Sequence, residues 1–198
     1  MSMQASIMST LEFNWFGIPV VGDWICGGEG PGDLELCTLW SNLAAFLPVI
    51  RYDYDPKGRP EFFNHFNDTV YVSALARAMK FRRMLLPYIF TQLFEFSQHG
   101  IPAWKPLFHL SPGDPDLVSE YQNFMLGDAF LIAPTLHPLR RDYIVRVQLV
   151  SHFRWTHLLS NTEYDMCRGG ENQARVHFHK TKTIIEHPKT FFFIFIII

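Results

Sequence analysis

Two aspartates stand near the ends of two apolar runs and are the first candidates for chemistry. Asp23 interrupts IPVVGDWI (18–25), and Asp53 follows Arg51 in VIRYDY (49–54). Two carboxyl groups held across a substrate can act as general acid and base, or as acid and nucleophile on a glycosidic bond. The plainer alternative is structural: Asp23 caps a loop, Asp53 pairs with Arg51, and Arg51 braces a strand end rather than touching a ligand. Trp24, Trp40 and Trp104 offer flat faces on which a C–H-rich ring could stack, although Trp40 falls at helical spacing and reads as core. Cys26, Cys37 and Cys167 are odd in number, which leaves at least one unpaired. No Cys-x-x-Cys occurs, and His177 with His179 lack a further ligand, so neither metal nor cofactor is expected. Asn67-Asp68-Thr69 is an N-glycosylation sequon, meaningful only in a secretory compartment.

The elements that must position these residues follow from periodicity. The run 18–25 suits a buried strand, and Gly27 to Gly32 a loop. Asp33 is a good N-cap, and Leu36, Cys37, Trp40, Leu43, Ala44 and Leu47 recur as on a helix that Pro48 stops. A second strand covers 49–54. Residues 70–98 give the longest helical signal, with Val72, Leu75, Met79, Leu86, Ile89, Leu93 and Phe96 as its apolar stripe. Pro87 should kink or interrupt that helix, and Gly100 should end it. Strand-like runs then follow at 103–110, 128–136 and 143–150. An α/β unit giving way to strands predicts a β-rich domain beginning near 136–141.

Composition removes several functions. A chain that is 48% hydrophobic with 19 Phe must bury surface rather than remain disordered. A net charge of −2 offers no basic field for nucleic acid or acidic lipid. Met1 to Thr10 has neither the basic nor the apolar region of a signal peptide. The run FFFIFIII at 191–198 is too short to span a bilayer as a helix, and Arg77, Lys80 and Arg83 break any such reading of 70–98. The terminal run reads instead as an aggregation-prone segment that a soluble fold would use poorly, and a membrane tether is the weaker alternative.

The order of several short motifs resembles glycoside hydrolase family 31, the family of lysosomal α-glucosidase, sucrase-isomaltase and maltase-glucoamylase. LEFNWFGIPVVGDWICGG (11–28) is similar to that family's Glu-Phe-Asn, Phe-Gly-Ile-Pro and Gly-Ala-Asp-Ile-Cys-Gly stretch. Leu36-Cys37 with Trp40, Ala45-Phe46 with Pro48, Arg51, Arg82 with Leu85-Leu86-Pro87-Tyr88 and Thr91, Pro106-Leu107-Phe108, and Gly127-Asp128 through Ala133-Pro134 continue it in order. Tyr143, Trp155, Leu158, Tyr164 and Gly169-Gly170 follow the segment that opens the domain after the barrel.

The resemblance implies an α/β fold: the C-terminal part of a (β/α)8 TIM barrel over 1–136, the start of a β-sandwich over 137–170, and an unmatched tail over 171–198. It implies that Asp23, Trp24, Arg51 and Asp53 lie at the strand ends where such barrels bind substrate. It also implies a Cys26–Cys37 disulfide, a lysosomal or secretory setting, and an α-glucoside oligosaccharide as the substrate of a longer parent chain, with no nucleic-acid partner and no metal or cofactor. Retaining hydrolysis there uses two carboxylates, in a Trp-x-Asp-Met-Asn-Glu motif and a later Gly-Asp-Asn/Val motif, and neither occurs in these 198 residues. The family's Asp before Ile-Cys-Gly falls on Trp24, and its His falls on Asp53, which cannot donate as His does. For Asp23 to replace that Asp, the strand would have to slip by one residue. The expectation is therefore a fragment of a retaining α-glucosidase without its acid pair. The alternative is a degenerate, non-catalytic homologue that binds carbohydrate or serves as a scaffold.

Overall fold

Helix α1 (Met3–Trp15) opens the chain where Ser2 accepts a 3.2 Å hydrogen bond from the Ala5 N–H, an N-cap that relieves one orphan donor. A parallel pair follows, β1 (Gly22–Ile25) and β2 (Val49–Tyr52), linked by α2 (Leu34–Ala44). In this computed structural model the described residues are 2–26, 34–52, 69–110, 112–136, 144–148, 155–157, 162–164, 173–177 and 192–197. Asp53, Asn67 and His179 lie outside them. Helix α3 (Thr69–His99) packs on α2, and β3 (Trp104–Pro106) leads into a 3-10 turn (Leu107–His109) and a short helix α4 (Pro115–Val118). Strands β4 (Phe124–Leu126), β5 (Phe130–Pro134), β6 (Ile144–Gln148), β7 (Trp155–His157), β8 (Thr162–Tyr164), β9 (Gln173–His177) and β10 (Phe192–Ile197) complete the order. Six strands form one sheet, β3-β4-β5-β10-β7-β8, and β6 pairs with β9.

One apolar core joins the two parts. Ile7 and Leu11 of α1, Ile25 of β1, Trp40 and Leu43 of α2, Leu85 and Ile89 of α3, and Trp104, Phe124 and Ile132 of the sheet share it. Burying each large apolar side chain of this kind contributes about 1.5–3 kcal/mol. Polar pins set the spacing between the elements. Trp104, wholly buried, donates from its indole to the Phe46 carbonyl at 2.7 Å, and its backbone N–H donates to Asn14 Oδ1 at 3.3 Å. Asn14 in turn donates to the Thr10 carbonyl at 3.0 Å, so α1, the end of α2 and β3 are tied at one place.

The structure departs from the periodicity in instructive ways. Helix α3 runs unbroken through Pro87, a single continuous helix rather than an interrupted one. Its buried stripe is Leu75, Ala78, Leu85 and Ile89, while Val72 and Leu86 are exposed. Apolar residues also reach its exposed side, Phe90 and Phe94 among them, so spacing alone does not choose the buried face. Strand β1 begins only at Gly22, and Ile18 and Val20 stand exposed before it. The apolar terminal run is not idle: it forms β10 inside the six-stranded sheet. Among the described residues no helix is long and apolar enough to cross a membrane.

Arg82 occupies the same stripe, a cation among buried aliphatics. Its guanidinium donates to the carbonyls of Ala44 (2.9 Å), Ala45 (3.3 Å), Leu47 (2.6 Å) and Pro48 (2.9 Å). These oxygens end α2 and begin the turn into β2, where helical partners run out. Burial pushes the guanidinium pKa down, and the nearby Tyr52 pushes the other way.

A second clamp orders the β4–β5 turn. The Tyr88 hydroxyl donates to the Leu126 carbonyl and accepts from the Ala129 N–H, both at 3.2 Å. Gly127 turns with φ +59°, and a Cβ there would collide with the Tyr88 hydroxyl and the Gln92 amide.

Arg82→Met should lower unfolding free energy by about 2–4 kcal/mol, because it strands several carbonyls at once. Arg82→Lys should recover less than half of that loss, since one ammonium cannot span the same set. Denaturant titration followed by circular dichroism reads both values.

Candidate functional site

The open face of the parallel pair is the place where the structure could meet a ligand. Side chains alternate along a strand, and directly paired residues of parallel neighbours point the same way. The register places Gly22 opposite Val49, Asp23 opposite Ile50, Trp24 opposite Arg51, and Ile25 opposite Tyr52. Gly22, Trp24, Val49 and Arg51 are exposed, whereas Ile25 is buried and Ile50 and Tyr52 pack against the core beneath α2. The outer row is therefore accessible and the inner row faces the helices. Gly22 is needed for the closeness of the two strands, since a Cβ there would stand 2.5 Å from the Val49 Cβ.

Trp24 and Arg51 meet on the accessible row. The Arg51 Cζ lies 3.9 Å from the centre of the indole, a cation–π stack that ties the two side chains together. Trp24 remains 39% exposed, so part of its ring stays available to solvent. Asp23 is turned to the other side. Its Oδ1 accepts the Trp24 N–H at 2.8 Å, and its buried Oδ2 has no partner among the described residues. The strand has not slipped, so Asp23 does not join Trp24 and Arg51 on one face. Trp40 and Trp104 are core residues that no ligand can reach without unfolding.

The strand end is tied down by covalent and polar contacts. Cys26 leaves β1 with φ +71°, in the left-handed region that a non-glycine residue enters only when its surroundings hold it. Its sulfur is joined to that of Cys37 in the first turns of α2, with the Cα atoms 4.7 Å apart. Behind them, the Tyr52 hydroxyl donates to Ser41 Oγ at 3.4 Å, and burial raises its pKa. Ser41 donates onward to the Cys37 carbonyl at 2.7 Å. None of Tyr52, Ser41 or Arg82 was a candidate from sequence as a support for the strand ends. Arg82 had a signal, a cation set within an apolar helical stripe; Tyr52 and Ser41 had none beyond their polar tips.

Parallel strands joined through a helix, with helices on one side and an accessible row on the other, form part of the wall of a β/α barrel, here carried on into a β-rich domain. Comparison with known proteins gives that class its family. The profile of the glycosyl hydrolases family 31 TIM-barrel domain matches residues 1–92, and that of the family's C-terminal domain matches residues 100–188. The chain belongs to glycosyl hydrolase family 31. It is 38% identical over 140 residues to an α-glucosidase of Schizosaccharomyces pombe, a match covering 69% of this chain and 14% of that protein. It is 36% identical over 137 residues to the lysosomal α-glucosidase of Rattus norvegicus, again 69% of this chain and 14% of the relative. The chain thus spans about one seventh of the length of these relatives. Among solved structures, a family 31 sulfoquinovosidase from E. rectale superposes with a TM-score of 0.76 at 22% identity, covering 99% of this chain and 27% of that one. A cycloalternan-degrading enzyme from Trueperella pyogenes superposes with a TM-score of 0.78 at 19% identity, covering 98% and 26%. These likenesses show the barrel followed by the C-terminal domain.

A double-mutant cycle on Trp24→Leu and Arg51→Ala should return a coupling of about 0.5–1 kcal/mol, the range of an exposed cation–π pair. Additive single effects in urea titrations would mean that the stack does not persist in solution.

Proposed function

We propose that this chain is the closing wall of a family 31 α-glucosidase fold, binding the sugar side of an α-glucoside without itself supplying the pair of acids that cleaves it. The observation that carries the reading is the make-up of the accessible row. It presents an aromatic ring and a guanidinium, Trp24 and Arg51, while the carboxylate of Asp23 points towards the helices. Hydrolysis with retention needs two carboxyl groups about 5–5.5 Å apart across the bond. Neither carboxylate motif of the family occurs in the sequence, and the described part of the row carries no acid. An indole can still stack on the C–H face of a hexose, and Arg51 can donate to its hydroxyls. Asp53 and the sequon at Asn67 lie beyond the described residues; in this reading Asp53 accepts from a sugar hydroxyl, and Asn67 carries a glycan only along a secretory route. The α-glucosidases among the relatives make an α-linked glucose oligosaccharide the first substrate class to test.

A second reading has one specific observation in its favour. Trp24, with Arg51 laid over it, stands where the family resemblance implies an Asp, which exchanges an acceptor of sugar hydroxyls for a stacking surface. That exchange suits a homologue that holds carbohydrate and has given up cleavage. Genomic sequence upstream separates the two, according to whether both carboxylate motifs are encoded in frame.

The purified chain should release no chromophore from a p-nitrophenyl α-glucoside above the buffer rate. It should bind maltotriose weakly, with Trp24→Ala raising Kd by about fivefold or more, the loss of one stacking contact. Turnover that disappears in Asp23→Ala or Asp53→Ala would overturn the proposal.

A further inference from the structure

Among the described residues, β10 is the strand that pairs with both β5 and β7. It runs antiparallel to β5, from Phe192 opposite Pro134 to Ile196 opposite Phe130. Its other edge runs antiparallel to β7, from Phe195 opposite His157 to Ile197 opposite Trp155. The far edge of β5 is taken by β4 and that of β7 by β8. In the order β3-β4-β5-β10-β7-β8, removing the fourth member leaves a three-stranded piece and a two-stranded piece, each with a bare edge.

The chemistry of that gap is specific. Leu131, Ile132, Ala133 and Pro134 are all buried, so β5 is covered on both of its faces. A strand buried on both faces has no water to satisfy its outer N–H and C=O groups, and a bare edge there is costly. Thr156, in the middle of β7, is buried as well. What fits between them is an extended segment, antiparallel to both neighbours, uncharged, and free of proline within its paired length. Phe192–Ile197, FFIFII, meets each condition. The same composition that marks a segment as prone to aggregate marks a central strand, and the difference is whether two edges are waiting for it.

We propose that the gap between β5 and β7 is a strand-accepting site and that Phe192–Ile197 is its self-donated occupant. The segment joins the sheet portion that packs on the barrel helices to β7 and β8. When it withdraws, two edges and one apolar strand are bared together. The site is then open to the same segment of a second copy.

Paired cysteines in the full chain test this, in a Cys167→Ser background that removes the third thiol. Ile132→Cys with Ile194→Cys places the two thiols on directly opposed positions, a spacing within disulfide reach. Mild oxidation should give an intramolecular bond, seen by peptide mapping. The offset pair Ile132→Cys with Phe193→Cys should form it about tenfold less, since neighbouring side chains face opposite ways. A bond formed chiefly between chains, or equal yields from both pairs, would overturn self-donation. Hydrogen exchange on a chain ending at Lys189 gives an independent readout. Amides of 130–133 and 155–157 should lose protection about tenfold or more relative to the full chain, while those of 88–93 keep theirs. Unchanged protection in both strands would sink the proposal.

Discussion

Helix α2 ends in carbonyls that have lost their helical partners, and within four residues the chain must become β2. Something has to hold those oxygens while the backbone changes direction. The guanidinium of Arg82 does so, reaching from α3 to four carbonyls between Ala44 and Pro48. Its planar fork can address several acceptors at once, and its burial is tolerable because its donors are used. The contact fixes more than a turn. It sets where β2 starts, and with that the register against β1, with Val49 opposite Gly22 and Arg51 opposite Trp24. A slip of one residue in β1 would send Trp24 to the helix side and bring Asp23 out, and a slip in β2 would turn Arg51 inward and part it from Trp24. The β2 half of the accessible row, Val49 and Arg51, thus rests on an arginine held at the other end of the turn.

Two further constraints act on the same strand ends. The Cys26–Cys37 link and the left-handed backbone at Cys26 hold the end of β1 to the first turns of α2. The close approach of β1 to β2 at Gly22 leaves no room for a side chain. Together they fix the position of the strand ends that carry the accessible row. The cation over Trp24 adds to this by covering one face of the ring, which leaves the remaining exposed surface as the part that can meet a ligand.

Much of this was legible in the sequence, and the reasons differ by element. The helices α2 and α3, the parallel pair and β5 carry strong local signals, because caps, turn residues and apolar runs are written in adjacent residues. The family was legible because many short motifs fell in one order. Helix α1 has a weak local signal: LEFNWFGIP stands out as a motif, and the capping Ser2 with the mixed residues behind it makes no clear stripe. The run 103–110 is strand only at Trp104–Pro106 and becomes a 3-10 turn at Leu107–His109, since an apolar run with a β-prone start looks alike in both. At the site, alternation foretold that Asp23 and Trp24 could not share a face, but not which of them would face the helices. That choice is made by packing: Ile25, two positions from Asp23, is drawn into the core with α1 and α2. Tertiary context also chose the buried side of α3, where too many apolar positions competed.

The terminal strand shows why composition alone misjudges a segment. An uncharged run of Phe and Ile has the same transfer free energy wherever it sits, and in isolation it seeks any available edge. Inside this chain the edges are internal. β5 is buried on both faces, so leaving it unpaired would strand several backbone groups away from water, at about 1–3 kcal/mol for each group. A polar or charged strand could make the same backbone ladder, but beside neighbours as buried as Leu131 to Pro134 and Thr156 its polar groups would have to give up water. The segment's hydrophobicity is therefore the property that fits it to its place. Its hazard arises only when the gap is closed to it or when it is released before the gap has formed, which places the risk on the folding route rather than on the folded state.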